Sequence, residues 1–282
     1  MQFKNKLKDA IFGFAIADAT GVPYEFKPRG NFKATDMVGY GTYNLVEGTW
    51  SDDTSMTIVT CHSIKEKGFV DLKDLMEKFS NWFYKGEYTP FGEVFDIGIT
   101  TRKAIFNYNN GKSIDKCGLI GEFDNGNGSL MRILPLAFTD CDTNIIDKVS
   151  SLTHAHEISK EACRIYVKIA RDLLNGIELK DSLKNIETGK TYERLKYLEK
   201  LSENEIKSTG YVVDTIEASL WCVLQTDNYK DCVLKAVNLG NDTDTVAAIA
   251  GGLAGIIYGL DNIPNEWITK LKNKQLIENC LF

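Results

Sequence analysis

Residues 238–259 read NLGNDTDTVAAIAGGLAGIIYG, and the reading of the whole chain starts from them. A run rich in carboxylates and hydroxyls, Asn241-Asp242-Thr243-Asp244-Thr245, leads directly into an apolar segment. There Ala247, Ala248, Ala250, Gly251, Gly252, Ala254 and Gly255 alternate with larger side chains. The apolar part, residues 246–260, is too short to cross a bilayer and predicts a buried helix. Its small residues allow neighbouring helices to approach closely, at the cost of glycine's low helix propensity. Residues 48–56, GTWSDDTSM, repeat the same wording: Ser51-Asp52-Asp53-Thr54 leads into the apolar Met56-Thr57-Ile58-Val59.

Outward from these two stretches, apolar residues recur at three- and four-residue intervals over 3–17, 54–65, 72–82, 94–106, 157–174, 211–224 and 229–237, which predicts helices. Strand signals are nearly absent; residues 37–45 suggest at most a hairpin. The expected fold is all-α, a compact multi-helix bundle with orthogonal packing, as one domain over 1–282. Loops at the glycine-rich breaks 39–41, 121–128 and 239–241 should carry the polar clusters. The lysine- and glutamate-rich stretch 178–207 reads as a solvated surface excursion, the weakest candidate for chemistry.

The 282 residues are 43% hydrophobic with a formal net charge of -6, and the basic residues are scattered, so direct nucleic-acid binding is not indicated. Seven cysteines lie far apart without C-x-x-C spacing, which suits reduced thiols in a cytoplasmic protein. The first residues, MQFKNKLKDAIFGFAIADATG, mimic a signal peptide, but Asp9 and the helical spacing favour an amphipathic helix. No membrane segment is expected.

Asp, Asn, Ser and Thr before a helix have a plain explanation: they cap free amides and suit the positive end of the helix dipole. Capping uses one or two oxygens, however, and each run offers two carboxylates and at least two hydroxyls within a turn. Brought together, four carboxylates repel unless protonated or neutralised, and divalent cations neutralise them directly. Oxygen-only ligation favours magnesium, manganese or calcium over zinc. His62, His154 and His156 lack a zinc-site pattern; Thr153-His154-Ala155-His156-Glu157 reads as a helix start or packed histidines.

Asp124-Asn125-Gly126-Asn127-Gly128-Ser129-Leu130-Met131-Arg132 should run from a flexible loop into a helix beginning near Ser129. Free amides there, with Arg132 nearby, suit a phosphate or diphosphate. A Rossmann or Walker-type pattern is absent. Asp18 to Phe26 should close the first helix in a turn, and Glu25, between two aromatic residues, is either a surface residue or a positioned acid.

Taken together the segments resemble the ADP-ribosylglycohydrolase family, especially its dinitrogenase reductase-activating branch. The pieces are GFAIADATGVPYEF at 13–26, GTWSDDTSM at 48–56, FDIGITT at 95–101, GNGSLMRILPLA at 126–137, THAHE at 153–157, GYVVDTIEASLW at 210–221, residues 238–259, and IPNEW at 263–267. They stand in the family's order. The resemblance implies two divalent cations, Mg2+ or Mn2+, held by Ser51, Asp52, Asp53, Asp242, Asp244 and Thr245 at the bottom of a cleft for ADP-ribose. It implies catalytic roles for Glu25 and Asp96. Asn127, Gly128, Ser129, Met131 and Arg132 would hold substrate, with Tyr211 bordering the pocket. Three positions depart from the family pattern: Ala17 for a usual glycine, Ser51 for threonine, and Asn241 where glycine or aspartate is common.

The implied reaction removes ADP-ribose from modified targets, an ADP-ribosylated protein or small molecule, with arginine linkage favoured. Two rivals share the site: a two-metal phosphohydrolase acting on a nucleotide diphosphate, and a non-catalytic ADP-ribose-binding protein on the same scaffold.

Overall fold

Two helices separated by most of the chain meet along a seam of glycines, and the rest of the protein is built around that contact. The structure, a computed structural model, describes residues 2–282. Its α-helices are α1 Gln2–Gly21, α2 Asp52–Lys67, α3 Leu72–Lys85, α4 Ile99–Asn109, α5 Thr143–Ser151, α6 Glu157–Leu174, α7 Leu179–Lys184, α8 Val212–Leu224, α9 Tyr229–Asn238, α10 Thr243–Tyr258, α11 Asn265–Lys270 and α12 Lys274–Cys280. Among the described residues there is no extended strand, only the isolated bridges Leu119–His154 and Gly126–Tyr211. The chain is all-α, as the periodicity predicts.

Every residue of α10 from Thr243 to Ile256 is buried. Burial on all faces explains why α10 carries no polar stripe: it is the centre, and its neighbours supply the outer surface. A Cβ on Gly13 of α1 would lie 2.6 Å from the Gly251 carbonyl oxygen, and one on Gly251 would lie 2.7 Å from the Gly13 carbonyl oxygen. The start of α10 is equally close, since a Cβ on Gly21 would lie 2.6 Å from the Asp244 amide nitrogen. Thr243 Oγ1 donates to the Gly21 carbonyl (2.8 Å), and the Tyr229 hydroxyl to the Gly13 carbonyl (2.5 Å). The peripheral helices are amphipathic instead: α3 buries Leu75, Met76, Phe79 and Trp82 and leaves its other face wet.

Several boundaries differ from expectation for identifiable reasons. The first helix continues past Asp18 to Gly21, where the start of α10 presses against it. The helix expected over 94–106 begins only at Ile99, because Gly98 is extended (φ -62°, ψ 144°), and this leaves Asp96 on extended chain. No α-helix starts at Ser129; two 3₁₀ segments, Asn127–Arg132 and Leu134–Phe138, take its place. Pro135 has no N–H to give the Met131 carbonyl, which instead accepts from Thr57 Oγ1 of α2 (2.8 Å). Residues 37–45 form no strand pair, only a turn in which the Tyr40 amide donates to the Leu45 carbonyl (2.6 Å).

The excursion 178–207 is less solvated than its composition suggests. Tyr192, Leu195 and Leu198 are buried, Trp221 Nε1 of α8 donates to the Leu201 carbonyl (2.9 Å), and Arg194 pairs with the buried Glu217 (3.2 Å). All seven cysteines are free. Among the described residues, no helix is long and apolar enough to cross a membrane.

Candidate active site

At the start of α2 the capping work is done by residues other than the paired aspartates. Trp50, fully buried, anchors the approach by donating from Nε1 to the Lys272 carbonyl (2.8 Å). Ser51 is the N-cap, its hydroxyl accepting from the Asp53 amide (3.3 Å). Asp18, reaching across from α1, accepts from the Ser51 amide (3.0 Å), the Ser51 hydroxyl (2.9 Å), the Thr54 amide (3.1 Å) and the Thr54 hydroxyl. With those donors satisfied, Asp52 and Asp53 are surplus to the helix. Asp53 Oδ2 accepts from the hydroxyls of Ser51 (3.0 Å) and Thr245 (3.2 Å), the latter from the other acidic run. Its Oδ1 is buried with no hydrogen-bond partner among the described residues.

The start of α10 solves the same problem differently. Asp242 occupies the N-cap but does not cap; its Oδ2 accepts from Asn127 Nδ2 (2.7 Å). Gly240 and Asn241 are both left-handed, at φ +74° and +61°, and turn the chain into the helix. Asparagine tolerates that conformation better than most residues, which accounts for the departure at position 241. The same turn staples Glu25 beside it: the Phe26 amide donates to the Asn241 carbonyl (2.7 Å) and the Asn241 amide to the Lys27 carbonyl (2.8 Å). Asp244 Oδ1 accepts from the Thr245 amide (3.0 Å), while its Oδ2, like Glu25 Oε2, is buried without a partner among the described residues.

The two runs therefore converge. One oxygen each from Asp18, Asp53 and Asp244 lie within 4.8 Å of one another, and so do one each from Glu25, Asp96 and Asp244. Burial pushes Glu25 up to about 8 and Asp18 up to about 6. Burial and neighbouring carboxylates hold Asp52, Asp53 and Asp244 well above the usual carboxylate range. Burial likewise raises Asp96 and Asp242. Buried, unpartnered carboxylate oxygens facing one another are costly unless a cation or a proton is shared among them. The donor set is oxygen throughout, so it fits hard divalent cations.

Glu25, Asp52, Asp96 and Asp242 line a cleft of about 390 Å3, in the size range of small-molecule sites, while Asp18, Asp53 and Asp244 are buried outside its lining. Thr245, Asn127, Gly128, Met131 and His154 line it as well. Among the described residues no lysine or arginine reaches it. His154 is buried, its Nδ1 2.7 Å from the Thr153 hydroxyl, and burial pushes its pKa down to about 3, so it contributes a neutral wall. His156 caps α6, its Nδ1 accepting from the Ile158 amide (3.2 Å).

Two residues expected to touch substrate face away. Arg132 is fully buried over the Phe79 ring and donates to the carbonyls of Gly128 (2.5 Å) and Val149 (3.0 Å). Ser129 is buried with its oxygen bonded to the Ser150 hydroxyl (3.0 Å). Both lie in the 3₁₀ segment that replaces the expected helix, and both point into the core. Tyr211 is 40% exposed beside the cleft residue Gly210 and is not itself part of the lining. Conversely, sequence reasoning had no ground to single out Asp18, which reads as a helix-ending residue, or Tyr43, whose ring stands edge-on to Phe95 (5.0 Å) and Phe26 (6.5 Å), the chain neighbours of Asp96 and Glu25.

Comparison with known proteins bears on this geometry. A family model described as ADP-ribosylglycohydrolase matches residues 1–281. The chain is 36% identical to the ADP-ribosylarginine hydrolase Tri1 of Serratia proteamaculans, over 98% of this chain and 77% of that protein. It is 31% identical to the ADP-ribosyl-[dinitrogen reductase] glycohydrolase of Rhodospirillum rubrum, over 94% and 90%. A solved structure titled ADP-ribosylglycohydrolase-related protein complex superposes with a TM-score of 0.84 at 28% identity, covering 99% of this chain and 96% of that one.

Proposed function

The chain belongs to the ADP-ribosylglycohydrolase family, and from that premise we propose that it cleaves the N-glycosidic bond joining ADP-ribose to an arginine side chain, with two divalent cations, magnesium or manganese, in its acidic cleft. The observation that carries the reading is the convergence of two distant acidic runs on shared space, with Asp53 Oδ1 and Asp244 Oδ2 buried and unpartnered. The arginine linkage is supported by the relative at 36% identity, an ADP-ribosylarginine hydrolase. The modified group would sit on a protein or on a small molecule, and the seven free thiols suit a cytoplasmic setting.

Asp52, Asp53, Asp242 and Asp244, with the hydroxyls of Ser51 and Thr245, would hold the ions, and Asp18 would join them. When bound, the ions would supply Lewis acidity towards the ribose hydroxyls and lower the pKa of a water. Glu25 or Asp96 would move the proton that the departing guanidine nitrogen needs; burial raises both carboxyls, Glu25 to about 8, which keeps that acid protonated near neutral pH. Asn127, Gly128 and Met131 would form the wall against which the diphosphate lies, and Tyr211 at the mouth would offer a ring for the adenine. Asn127 has a further task in fixing Asp242.

The test is a product analysis of purified protein on ADP-ribosyl-arginine, with magnesium or manganese and after chelation. Free ADP-ribose formed only with metal is the expected result. Full-rate release by metal-free protein would sink the mechanism. AMP plus phosphoribosyl-arginine would favour phosphohydrolysis, and tight binding without any product a non-catalytic role.

A further inference from the structure

Glu25 is flanked by two aromatic residues that are held in opposite ways. Tyr24 stacks on Phe32 at 4.6 Å and packs against the core. Phe26 lines the cleft, is 67% exposed, and meets the Tyr43 ring edge-on at 6.5 Å. Its backbone is left-handed, at φ +63°, which costs a bulky residue energy and which glycine or asparagine adopts more readily. Asn241, bonded to it, is left-handed too and is of the suited type. The turn enforces the conformation from both sides: the Phe26 amide donates to the Asn241 carbonyl (2.7 Å), the Lys27 amide to the Tyr24 carbonyl (3.0 Å), and the Thr42 hydroxyl to the Glu25 carbonyl (2.6 Å). A large ring kept at a strained, exposed position contributes little to the core. Strain of this kind gathers at ligand clamps, where the surroundings over-determine it.

What the ring meets follows from the bond that breaks. The proton-transferring carboxyl, Glu25 or Asp96, must reach the leaving nitrogen, and Phe26 and Ile97, their chain neighbours, line the cleft with them. The leaving group in the reaction proposed above is a guanidinium: planar, cationic, weakly hydrated and prone to lie flat on an aromatic face. An oxygen-linked leaving group has no such preference. Among the described residues no lysine or arginine lines the cleft to compete for the ring.

We propose that Phe26 sets specificity for the leaving-group side of the substrate: its ring stacks on the arginine guanidinium beside Glu25 and so favours arginine-linked ADP-ribose over oxygen-linked forms. This rests on the reading of the chain as an ADP-ribosylarginine hydrolase.

Phe26→Leu keeps an apolar side chain and removes the ring. With magnesium saturating, kcat/KM on ADP-ribosyl-arginine should fall about fivefold, the scale of a partly exposed cation–π contact, while Kd for free ADP-ribose stays within about twofold. Phe26→Tyr, which keeps a ring, should retain the wild-type rate. An unchanged kcat/KM in Phe26→Leu, an equal loss of ADP-ribose affinity, or the same loss in Phe26→Tyr overturns the proposal. Stability gives a readout apart from turnover. Phe26→Gly relieves the left-handed backbone, so its melting temperature should hold; a fall of more than about 3 °C would make the ring a packing element and overturn the proposal. Should the wild-type chain free no ADP-ribose from ADP-ribosyl-arginine, the functional reading fails by itself, and binding decides the role of the ring. The wild type must then hold ADP-ribosyl-arginine more tightly than ADP-ribose, and Phe26→Leu must lose that preference; without both, the proposal falls too.

Discussion

The starts of α2 and α10 look alike in sequence and differ in how they are held. At α2 the free amides are satisfied by Ser51 and by Asp18 from another helix, which releases Asp52 and Asp53. At α10 the N-cap side chain does not cap: Asp242 turns away to Asn127, Asp244 Oδ1 accepts from the Thr245 amide, and the close approach of α1 packs on the first turn. In the first case other residues take over the capping and free both carboxylates; in the second Asp244 spends one oxygen on an amide and keeps only Oδ2 free. Acidic residues at a helix start are thus no evidence of capping until the amides they would serve have been accounted for.

The sharpest way to break this comparison is to remove one carboxylate from each side. Asp53→Ala and Asp244→Ala should each lower the metal-dependent rate on the order of a thousandfold, as expected for loss of a group that binds a reacting metal. A large effect at only one of the two would show that the runs do not serve a single centre. Next in size is the seam. Gly251→Ala should cost about 1–3 kcal/mol in urea unfolding through overpacking against Gly13 and Ala17, and should weaken metal binding as well.

The charge state of the cleft separates the metal-free from the metal-loaded protein. Folding raises Glu25 from its ordinary 4.5 to about 8 and Asp18 from 3.8 to about 6. A group raised on folding lends stability below its unfolded pKa and withdraws it as pH rises through the folded value. The melting temperature of chelated protein should therefore fall between about pH 5 and about pH 9, and saturating magnesium should flatten the curve because ligands must shed protons to bind it. A flat profile without metal would mean that the carboxylates are further apart in solution. The smallest effect tests the cap: in chelated protein Ser51→Ala should cost about 1 kcal/mol by thermal unfolding, since Asp18 still accepts from the amides of Ser51 and Thr54.

What the sequence revealed follows from which signals are local. Period-3.6 patterning over α2, α6 and α10 and the surplus of oxygens at two helix starts are readable within a few residues, and both pointed to the cleft. The ordered set of motifs pointed to the family. Asp18 was illegible because its meaning lies in amides that are 33 and 36 residues away. Tyr43 sat in a turn whose purpose depends on Pro23 and Glu25. Arg132 was misplaced through a wrong helix type: a 3₁₀ pitch with Pro135 downstream turns its guanidinium into the core, where backbone carbonyls and the Phe79 ring receive it. Asn241 made sense only once its backbone was known to be left-handed.

The glycine seam also has a bearing on how the chain is made. The bond from Thr243 to Gly21 closes a separation of 222 residues, so the glycine face of α1 lacks its partner until α10 has been made. Contacts so distant in sequence are entropically late events. During synthesis α1 can meet the start of α2 early through Asp18, but its glycine face must wait, and the acidic basin cannot be assembled by any nascent fragment that stops short of α10.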